Sequence, residues 1–198
     1  MGKLFTSFFI VLIFLFSTNV LAQKTVITAV IENPQNKSSS DTIYYDFNQK
    51  LKWQDFQGKP EMQPYIGAIT ASGFAFHSSM VYSNNILKIR IGIYSFFTKH
   101  DSWKKKNINS DYHLEHEQHH FDITRLGAQN FMDEIKKAEF TAKNYRQLMN
   151  SIFARVFDEN TRLQQEYDLD TKNSIDVAKQ LEWNKKITDK INSLKSLE

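Results

Sequence analysis

The chain has 198 residues, 25 of them basic and 22 acidic, and it contains no cysteine. The missing cysteines exclude a disulfide framework and a lipid-modified N-terminal cysteine. The near-neutral charge, without an arginine run or a basic stripe, argues against nucleic acid as a partner, and the length suits one folded domain.

The first 22 residues have the layout of a secretory signal peptide. A single lysine precedes an apolar stretch at residues 4–16, and the following residues allow cleavage after Ala22. The alternative is an uncleaved membrane anchor, because the apolar stretch is only a little short of a spanning helix. We expect cleavage, so that residues 23–198 form an exported domain without stable membrane insertion. It would be periplasmic or secreted, and the composition suits a Gram-negative bacterium.

Residues 23–100 are predicted to be rich in β-structure. Residues 24–32 alternate apolar and polar side chains, as a half-buried strand does, and residues 33–41 interrupt the pattern as a polar loop. β-branched and aromatic residues predict further strands at 42–47, 66–78 and 86–97. Ser83-Asn84-Asn85 lies between the last two strands and predicts a hairpin turn. We therefore expect a mostly antiparallel sheet.

Residues 109–195 change to the helical period. We predict helices at about 110–140, 142–167 and 174–193, the first of them capped by Ser110 or Asn109. Strands that are followed by helices argue for an α+β domain rather than a parallel α/β sheet. There is no internal repeat, so residues 23–198 are expected to form one domain.

The sequence HLEHEQHH, residues 113–120, holds four of the six histidines of the chain. Within it, residues 116–120 read HEQHH and fit the pattern H-E-x-x-H. His116 and His120 are one helical turn apart, so their imidazoles can bind one cation, for which zinc is the default. Glu117 projects beside them, where its carboxylate can take a proton from a metal-bound water.

The helix face that carries the two histidines continues as a packing face. It contains, at spacings of three and four, His113, His116, His120, Thr124, Ala128, Phe131, Ile135 and Ala138. Its later members are small or apolar, so this side of the helix is expected to face the core. Burying imidazoles and a carboxylate is costly unless they are paired or bind a metal. The histidines are therefore predicted to point inward, at a metal site.

The other histidines and Asp122 are assigned lesser roles. His113 is expected to orient a ligand or to lie at the surface. His119, rotated about 100° from the second ligand histidine, is expected to be exposed. Asp122 falls on the opposite face of the helix, so we expect it to hold another element by a hydrogen bond. Structural roles are expected for His77 and His100.

A catalytic zinc generally has three protein ligands and one open position, but H-E-x-x-H supplies only two. A third histidine six residues further on is excluded, because that position is Leu126. The densest acidic cluster downstream offers Asp168, with Glu166 and Asp170 as alternatives. Asp168 is our predicted third ligand, and Tyr167 beside it is the candidate for stabilising an oxyanion.

Several motifs, in order, resemble a bacterial family of predicted secreted zinc-dependent proteases, known as domain of unknown function 922. LKWQDFQGKP resembles the Trp-x-x-Phe-x-Gly-x-Pro pattern of the family, and LEHEQHHFDIT resembles its Leu-x-His-Glu-Gln-x-His-Phe-Asp signature. AITASGFAF, SFFTKHDSWKK, YDLDT and QLEWNKKI resemble further segments. The resemblance covers most of residues 23–198. It implies peptidase activity and a zincin-like fold around the H-E-x-x-H helix.

Two positions depart from the family pattern. In the family, Tyr-Asp-x-x-Thr is often followed by x-His-Gly, whereas Lys172-Asn173-Ser174 follow Thr171 here. The position five residues after the second motif histidine is often acidic in the family and is Arg125 here. If the family histidine is a ligand, Asn173 predicts weaker metal binding, and Arg125 predicts altered surroundings of the site.

The leading hypothesis is a zinc-dependent peptidase that acts on a peptide or protein substrate. His116, His120 and Asp168 would bind the metal, and Glu117 would deprotonate the attacking water. An alternative is a non-catalytic metal-binding protein or pseudoenzyme of the envelope. A third hypothesis is a structural envelope protein in which the histidines only stabilise the fold. The aromatic strand at 86–97 is expected to be core or, by analogy with other zinc peptidases, to line a substrate cleft.

Overall fold

Strands come first in the chain and helices follow. The computed structural model of the protein describes residues 24–34, 41–61 and 66–197. Its elements are the strands β1 (Lys24–Ile31), β2 (Thr42–Tyr44), β3 (Ala68–Ile69), β4 (Ser72–Ser83), β5 (Ile86–Thr98) and β6 (Trp103–Lys104), and the helices α1 (Asp111–Lys137), α2 (Tyr145–Thr171) and α3 (Val177–Lys195). The predicted α+β class is confirmed. The predicted signal peptide lies outside the described residues, and within them no helix is both long and apolar enough to cross a membrane.

Strand β5 is the centre of the main sheet. Along one side it pairs antiparallel with β4, over the full length of β4. Along the other side it pairs with β1 and then with β2. Between β4 and β5, Asn84 and Asn85 have φ of 51° and 60°, the left-handed conformation that is favoured in two-residue hairpin turns. The predicted turn is therefore confirmed.

The sheet departs from the antiparallel prediction at β1, which runs parallel to β5 with Lys24 opposite Ile86. Alternation of side chains determines which face of a strand is buried, but it carries no information about strand direction. Because β5 has neighbours on both sides, it offers no free edge to a peptide. Its side chains Ile91, Ile93 and Phe97 are completely buried. Of the two roles considered for this strand, the structure therefore supports the core and not the cleft.

All three predicted helices are confirmed, and their ends differ by a few residues. Helix α1 follows the predicted cap Ser110, whose side chain accepts a hydrogen bond from the backbone N–H of His113. Helix α2 begins at Tyr145 and continues to Thr171, beyond the predicted end at 167. This extra turn makes Asp168 part of the helix, one turn after Gln164, so both side chains project from the same face.

Helix α1 is enclosed because it contacts the sheet, α2 and α3. Its C-terminal half belongs to one hydrophobic cluster with Phe74, Ile91, Ile93, Phe131, Ile135, Ile152 and Val156. Its N-terminal half belongs to another with Tyr45, Phe97, Phe121, Ile123, Tyr167, Trp183 and Ile187. Residues 116–125 are consequently buried all around the helix, except for the partly exposed His120. The polar side chains of this stretch need partners from several directions.

The turn between α2 and α3 has an unusual backbone. Lys172, Asn173 and Ser174 follow one another with φ of 51°, 51° and 68°, a conformation that costs about 1–2 kcal/mol for residues other than glycine. Backbone hydrogen bonds hold it, among them one of 2.9 Å from the N–H of Asn173 to the carbonyl of Asp168. The turn directs α3 back against α1, next to the histidines.

Candidate metal centre

Two helices bring three side chains with metal-ligand chemistry together. Helix α1 supplies His116 and His120, and α2 supplies Asp168. The Nε2 atoms of the two histidines lie 3.2 and 3.0 Å from Oδ1 of Asp168, and the three ligand atoms are all within 4.8 Å of one another. The side chains of the histidines are 4% and 12% exposed, and that of Asp168 is 39% exposed. A largely buried group of this kind can bind a metal ion.

The two separations between a histidine nitrogen and the Asp168 oxygen are compatible with a tetrahedral metal. Ligand atoms about 2.0 to 2.1 Å from a tetrahedral zinc are about 3.3 Å from one another. The observed nitrogen-to-oxygen distances of 3.0 and 3.2 Å are close to that value. Two imidazoles and one carboxylate are also an established donor set for catalytic zinc, although other divalent ions accept the same atoms.

Burial and neighbouring charges shift the pKa values of the cluster in opposite directions. Burial raises the pKa of Asp168, but hydrogen bonds with His116 and His120 outweigh it and hold that pKa well below its usual range. Burial lowers the pKa of His120, but Asp168 outweighs it and raises the pKa to about 9. The raised pKa of His120 and the lowered pKa of Asp168 both favour a positive charge beside the carboxylate in the metal-free protein.

Glu117 lies beside the cluster, and it lines the same cavity as the three ligand residues. This cavity has a volume of about 490 Å³. Glu117 is buried, and its Oε2 accepts a 2.7 Å hydrogen bond from the hydroxyl of Thr70, in the segment between β3 and β4. The hydroxyl holds the carboxylate in one orientation. A carboxylate fixed at a cavity next to a metal group can serve in proton transfer.

Tyr167 lies behind His116 rather than at the cavity. Its ring stacks on the ring of His116 with the centroids 4.6 Å apart. Its hydroxyl accepts a 2.6 Å hydrogen bond from Gln180, and the whole residue is buried. The predicted contact of Tyr167 with an oxyanion finds no support in this position. The residue instead fixes the plane of a ligand imidazole.

The prediction for His119 is wrong, and the prediction for Asp122 is confirmed. His119 is only 3% exposed, and its Nδ1 lies 3.0 Å from Oδ2 of Asp122. Oδ1 of Asp122 accepts a 2.8 Å hydrogen bond from the hydroxyl of Tyr45, which joins α1 to the sheet region. His119 is buried because α1 is enclosed on this side as well. Its Nε2 is buried without a hydrogen-bond partner among the described residues.

The remaining histidines lie outside the metal group. His113 is half-buried, contacts the hydroxyl of Ser110 and lines the cavity, which agrees with a supporting role. At the surface, His77 pairs with Glu32 and His100 with Asp41.

The two residues that depart from the family pattern lie in different parts of the structure. Asn173 lines the cavity that the ligand residues share. Arg125 is buried on the other side of α1, with its guanidinium 5.4 Å from the ring of Phe47, so it does not belong to the cluster. The alternative third ligands are also elsewhere, because Glu166 is exposed and Asp170 accepts a hydrogen bond from Trp183.

Three polar residues at the site were missed by the sequence analysis. They are Thr70, which binds Glu117, and the glutamines Gln164 and Gln180, which contact the two ligand histidines. Gln164 lies on the second predicted helix, four residues before Asp168, but the predicted end of that helix at residue 167 left Asp168 outside it and hid the shared face. Nothing in the sequence pattern connects Thr70 or Gln180 to the histidines, because only the tertiary fold brings them close.

Comparison with known proteins gives no relative, since no protein-family model, no curated protein and no solved structure matches the chain. The family resemblance of the motifs therefore stays a prediction. The function of the protein has to be inferred from the geometry and chemistry of the site itself.

Proposed function

We propose that this protein is a zinc-dependent peptidase. The observation that carries the proposal is the convergence of His116, His120 and Asp168 beside a cavity that Glu117 also lines. The two histidines and Glu117 stand in the order H-E-x-x-H on one helix, which is the arrangement used by zinc peptidases. On the same grounds we propose that α1 is the H-E-x-x-H helix of a zincin-like fold.

Each residue of the site would have its own role in peptide hydrolysis. His116, His120 and Asp168 would hold the metal, which, when bound, supplies Lewis acidity that polarises a carbonyl group and lowers the pKa of water. Glu117 would accept the proton of the attacking water and later pass it to the leaving amine. Thr70 would keep the Glu117 carboxylate turned toward the cavity. The burial of His116 and His120 would limit the access of bulk water to the two ligand imidazoles.

A peptide or protein substrate is supported by what lines the cavity. Besides the ligand residues and Gln164, the lining includes four amide side chains: Asn107, Asn160, Gln165 and Asn173. Amides both donate and accept hydrogen bonds, as peptide groups do. Apolar residues such as Ile66, Ile108 and Phe157 complete the lining and offer contacts to side chains. We place this activity outside the cytoplasm because residues 1–22 read as a signal peptide.

A second candidate is a metal-binding protein without turnover. It is favoured by the position of Tyr167, because the residue expected to stabilise an oxyanion does not line the cavity. Under this candidate the metal site would be kept and Glu117 would be dispensable. The two candidates agree on metal binding and differ on hydrolysis, so they are separated by different measurements.

Metal content tests the site on which both candidates depend. Residues 23–198, produced without a histidine tag, are expected to bind about one zinc per chain, and the His120→Ala variant nearly none. The measurement is elemental analysis after incubation with zinc and removal of the excess, together with melting curves with and without zinc. Absence of stoichiometric metal from the folded wild type would reject the peptidase. A melting change in the variant without any metal dependence would instead favour the structural hypothesis.

The Thr70→Val variant tests the proposed orientation of Glu117. Valine has the shape of threonine but cannot donate to Oε2 of Glu117, so the carboxylate would rotate more freely. We expect turnover to fall about ten- to a hundredfold, with zinc content unchanged. Thr70→Ser keeps the hydroxyl and is the matched control, expected to retain most activity. Equal turnover in Thr70→Val and the wild type would show that Glu117 needs no such support.

A further inference from the structure

The second ring nitrogen of each ligand histidine contacts a glutamine. Nδ1 of His120 lies 2.6 Å from Oε1 of Gln164, on α2. Nδ1 of His116 lies 2.8 Å from Oε1 of Gln180, on α3. Gln180 is completely buried and Gln164 is half-buried. The two histidines, one turn apart on α1, are thus supported in the same way by two different helices.

The amide of Gln164 can adopt only one orientation. Its Nε2 donates to the backbone carbonyl of His120 over 2.9 Å and to the hydroxyl of Thr124 over 3.2 Å. A carbonyl oxygen has no hydrogen to donate. Turning the amide would therefore place two oxygens against each other and leave the amide nitrogen facing the imidazole. The oxygen of Gln164 must face Nδ1 of His120.

The amide of Gln180 is oriented through a longer chain of donors. Its Nε2 donates to Oδ1 of Asn184 over 2.6 Å, and Nδ2 of Asn184 donates to a carboxylate oxygen of Glu115 over 2.8 Å. An ionised carboxylate only accepts hydrogen bonds, so it sets the direction of the whole chain. Nε2 of Gln180 donates to the hydroxyl of Tyr167 as well. The oxygen of Gln180 must then face Nδ1 of His116.

We propose that Gln164 and Gln180 are positioning residues that keep a proton on Nδ1 of both histidines, so that both Nε2 lone pairs face the metal. An amide oxygen can only accept, and therefore Nδ1 must donate. The inference rests on the proposed function and deepens it, because it says which nitrogens bind. It also explains why the cluster needs a cation. Two lone pairs and a carboxylate oxygen, 3.0 and 3.2 Å away, repel one another unless a positive charge lies between them.

Zinc affinity in variants of Gln164 tests this inference, because this residue is only half-buried and tolerates change better than Gln180. Leucine at position 164 cannot accept from Nδ1, and we expect Gln164→Leu to bind zinc about ten- to a hundredfold more weakly. In Gln164→Glu the carboxylate still accepts from Nδ1 but can no longer donate to the carbonyl of His120, so the affinity is expected to lie between those of Gln164→Leu and the wild type. Gln147→Leu makes the same change at an exposed position of α2 outside the cavity and is the matched control, expected to bind as the wild type does. The measurement is competition with a coloured chelator, with circular dichroism to confirm folding.

A second measurement observes the tautomer directly. In the zinc-loaded wild type, long-range nitrogen–proton NMR correlations of the ring are expected to show Nδ1 protonated and Nε2 bound to the metal, for both His116 and His120.

The outcomes separate the inference from the proposed function. Zinc binding by the folded Gln164→Leu variant as tight as in the wild type, or zinc on Nδ1, would overturn the inference and leave the peptidase standing. A wild type that binds no zinc would overturn the peptidase. It would overturn the inference as well, because without a metal the carboxylate of Asp168 accepts a proton from Nε2.

Discussion

The Glu117→Gln variant is expected to lose hydrolytic turnover by a factor of about 10² to 10⁴ while it binds zinc as tightly as the wild type. Glutamine keeps the size of the side chain and still accepts the hydrogen bond from Thr70, but it cannot take up a proton from water. The loss would therefore appear in the chemical step and not in metal binding. Turnover is measured on unfolded protein and on a library of fluorogenic peptides, and zinc content is measured on the same samples.

A nearby exposed glutamate provides the control for charge. Glu166 is exposed on α2, two residues before Asp168, so Glu166→Gln removes one negative charge close to the site without touching the cavity. We expect its turnover to match the wild type. If Glu117→Gln were as active as this control, Glu117 would not be the base. If the zinc-loaded wild type hydrolysed none of the substrates, the metal-binding candidate without turnover would be preferred.

The sequence predicted the structure best where a regular spacing of residues had a single structural cause. The helical spacing of His116, His120, Phe131 and Ile135 predicted α1 and its packing face correctly, because the side chains three and four residues apart share one side of a helix. The β4–β5 turn was predictable because two consecutive asparagines tolerate left-handed φ angles. The parallel direction of β1 was not predictable, because the alternation of apolar and polar residues is the same whichever way the strand runs.

The error on His119 has a different origin. The helical spacing predicts one buried face for a helix that lies on the surface of a domain. Helix α1 instead contacts the sheet, α2 and α3, so residues on the side away from His120 are buried too. His119 and Asp122 then pair with each other because neither is accessible to water. A sequence pattern with polar residues all around a helix cannot by itself distinguish full exposure from full enclosure.

Part of the candidate site was predictable from helix geometry. His116, Glu117 and His120 are close in sequence, so helix geometry alone places them together. Asp168 was predicted as the third ligand from among three neighbouring acidic residues. It lies next to the two histidines because α2 continues past its predicted end at residue 167. The support from Thr70 and Gln180 depends on how the β3–β4 segment and α3 fold over α1. Such contacts follow from tertiary packing and leave no local pattern.

Zinc affinity is expected to rise about tenfold per pH unit up to about pH 9 and to level off above it. The reason is the pKa of His120 in the metal-free protein, which Asp168 raises from an ordinary 6.5 to about 9. Below that pH a proton occupies Nε2 of His120, and zinc must displace it. Above that pH the nitrogen is already free. The measurement is chelator competition from about pH 6.5 to 9.5, with the proton release followed by calorimetry in buffers of different ionisation enthalpy.

The stability of the metal-free fold is expected to change in the opposite direction. Because the folded pKa of His120 is raised, its charged pair with Asp168 contributes stability that is fully present below pH 6.5 and is lost as the pH rises through about 9. High pH therefore weakens the metal-free site while it strengthens zinc binding, and added zinc should raise the melting temperature most at the alkaline end of the range.

The Asp168→Asn variant tests the source of this pH dependence. It removes the charge that raises the pKa of His120, so the stability of the variant should depend less on pH between 6.5 and 9. Glu166→Gln should behave as the wild type does. Zinc affinity that stayed flat from pH 7 to 9 would mean that no proton leaves His120 on binding in this range, and it would count against the raised pKa of His120.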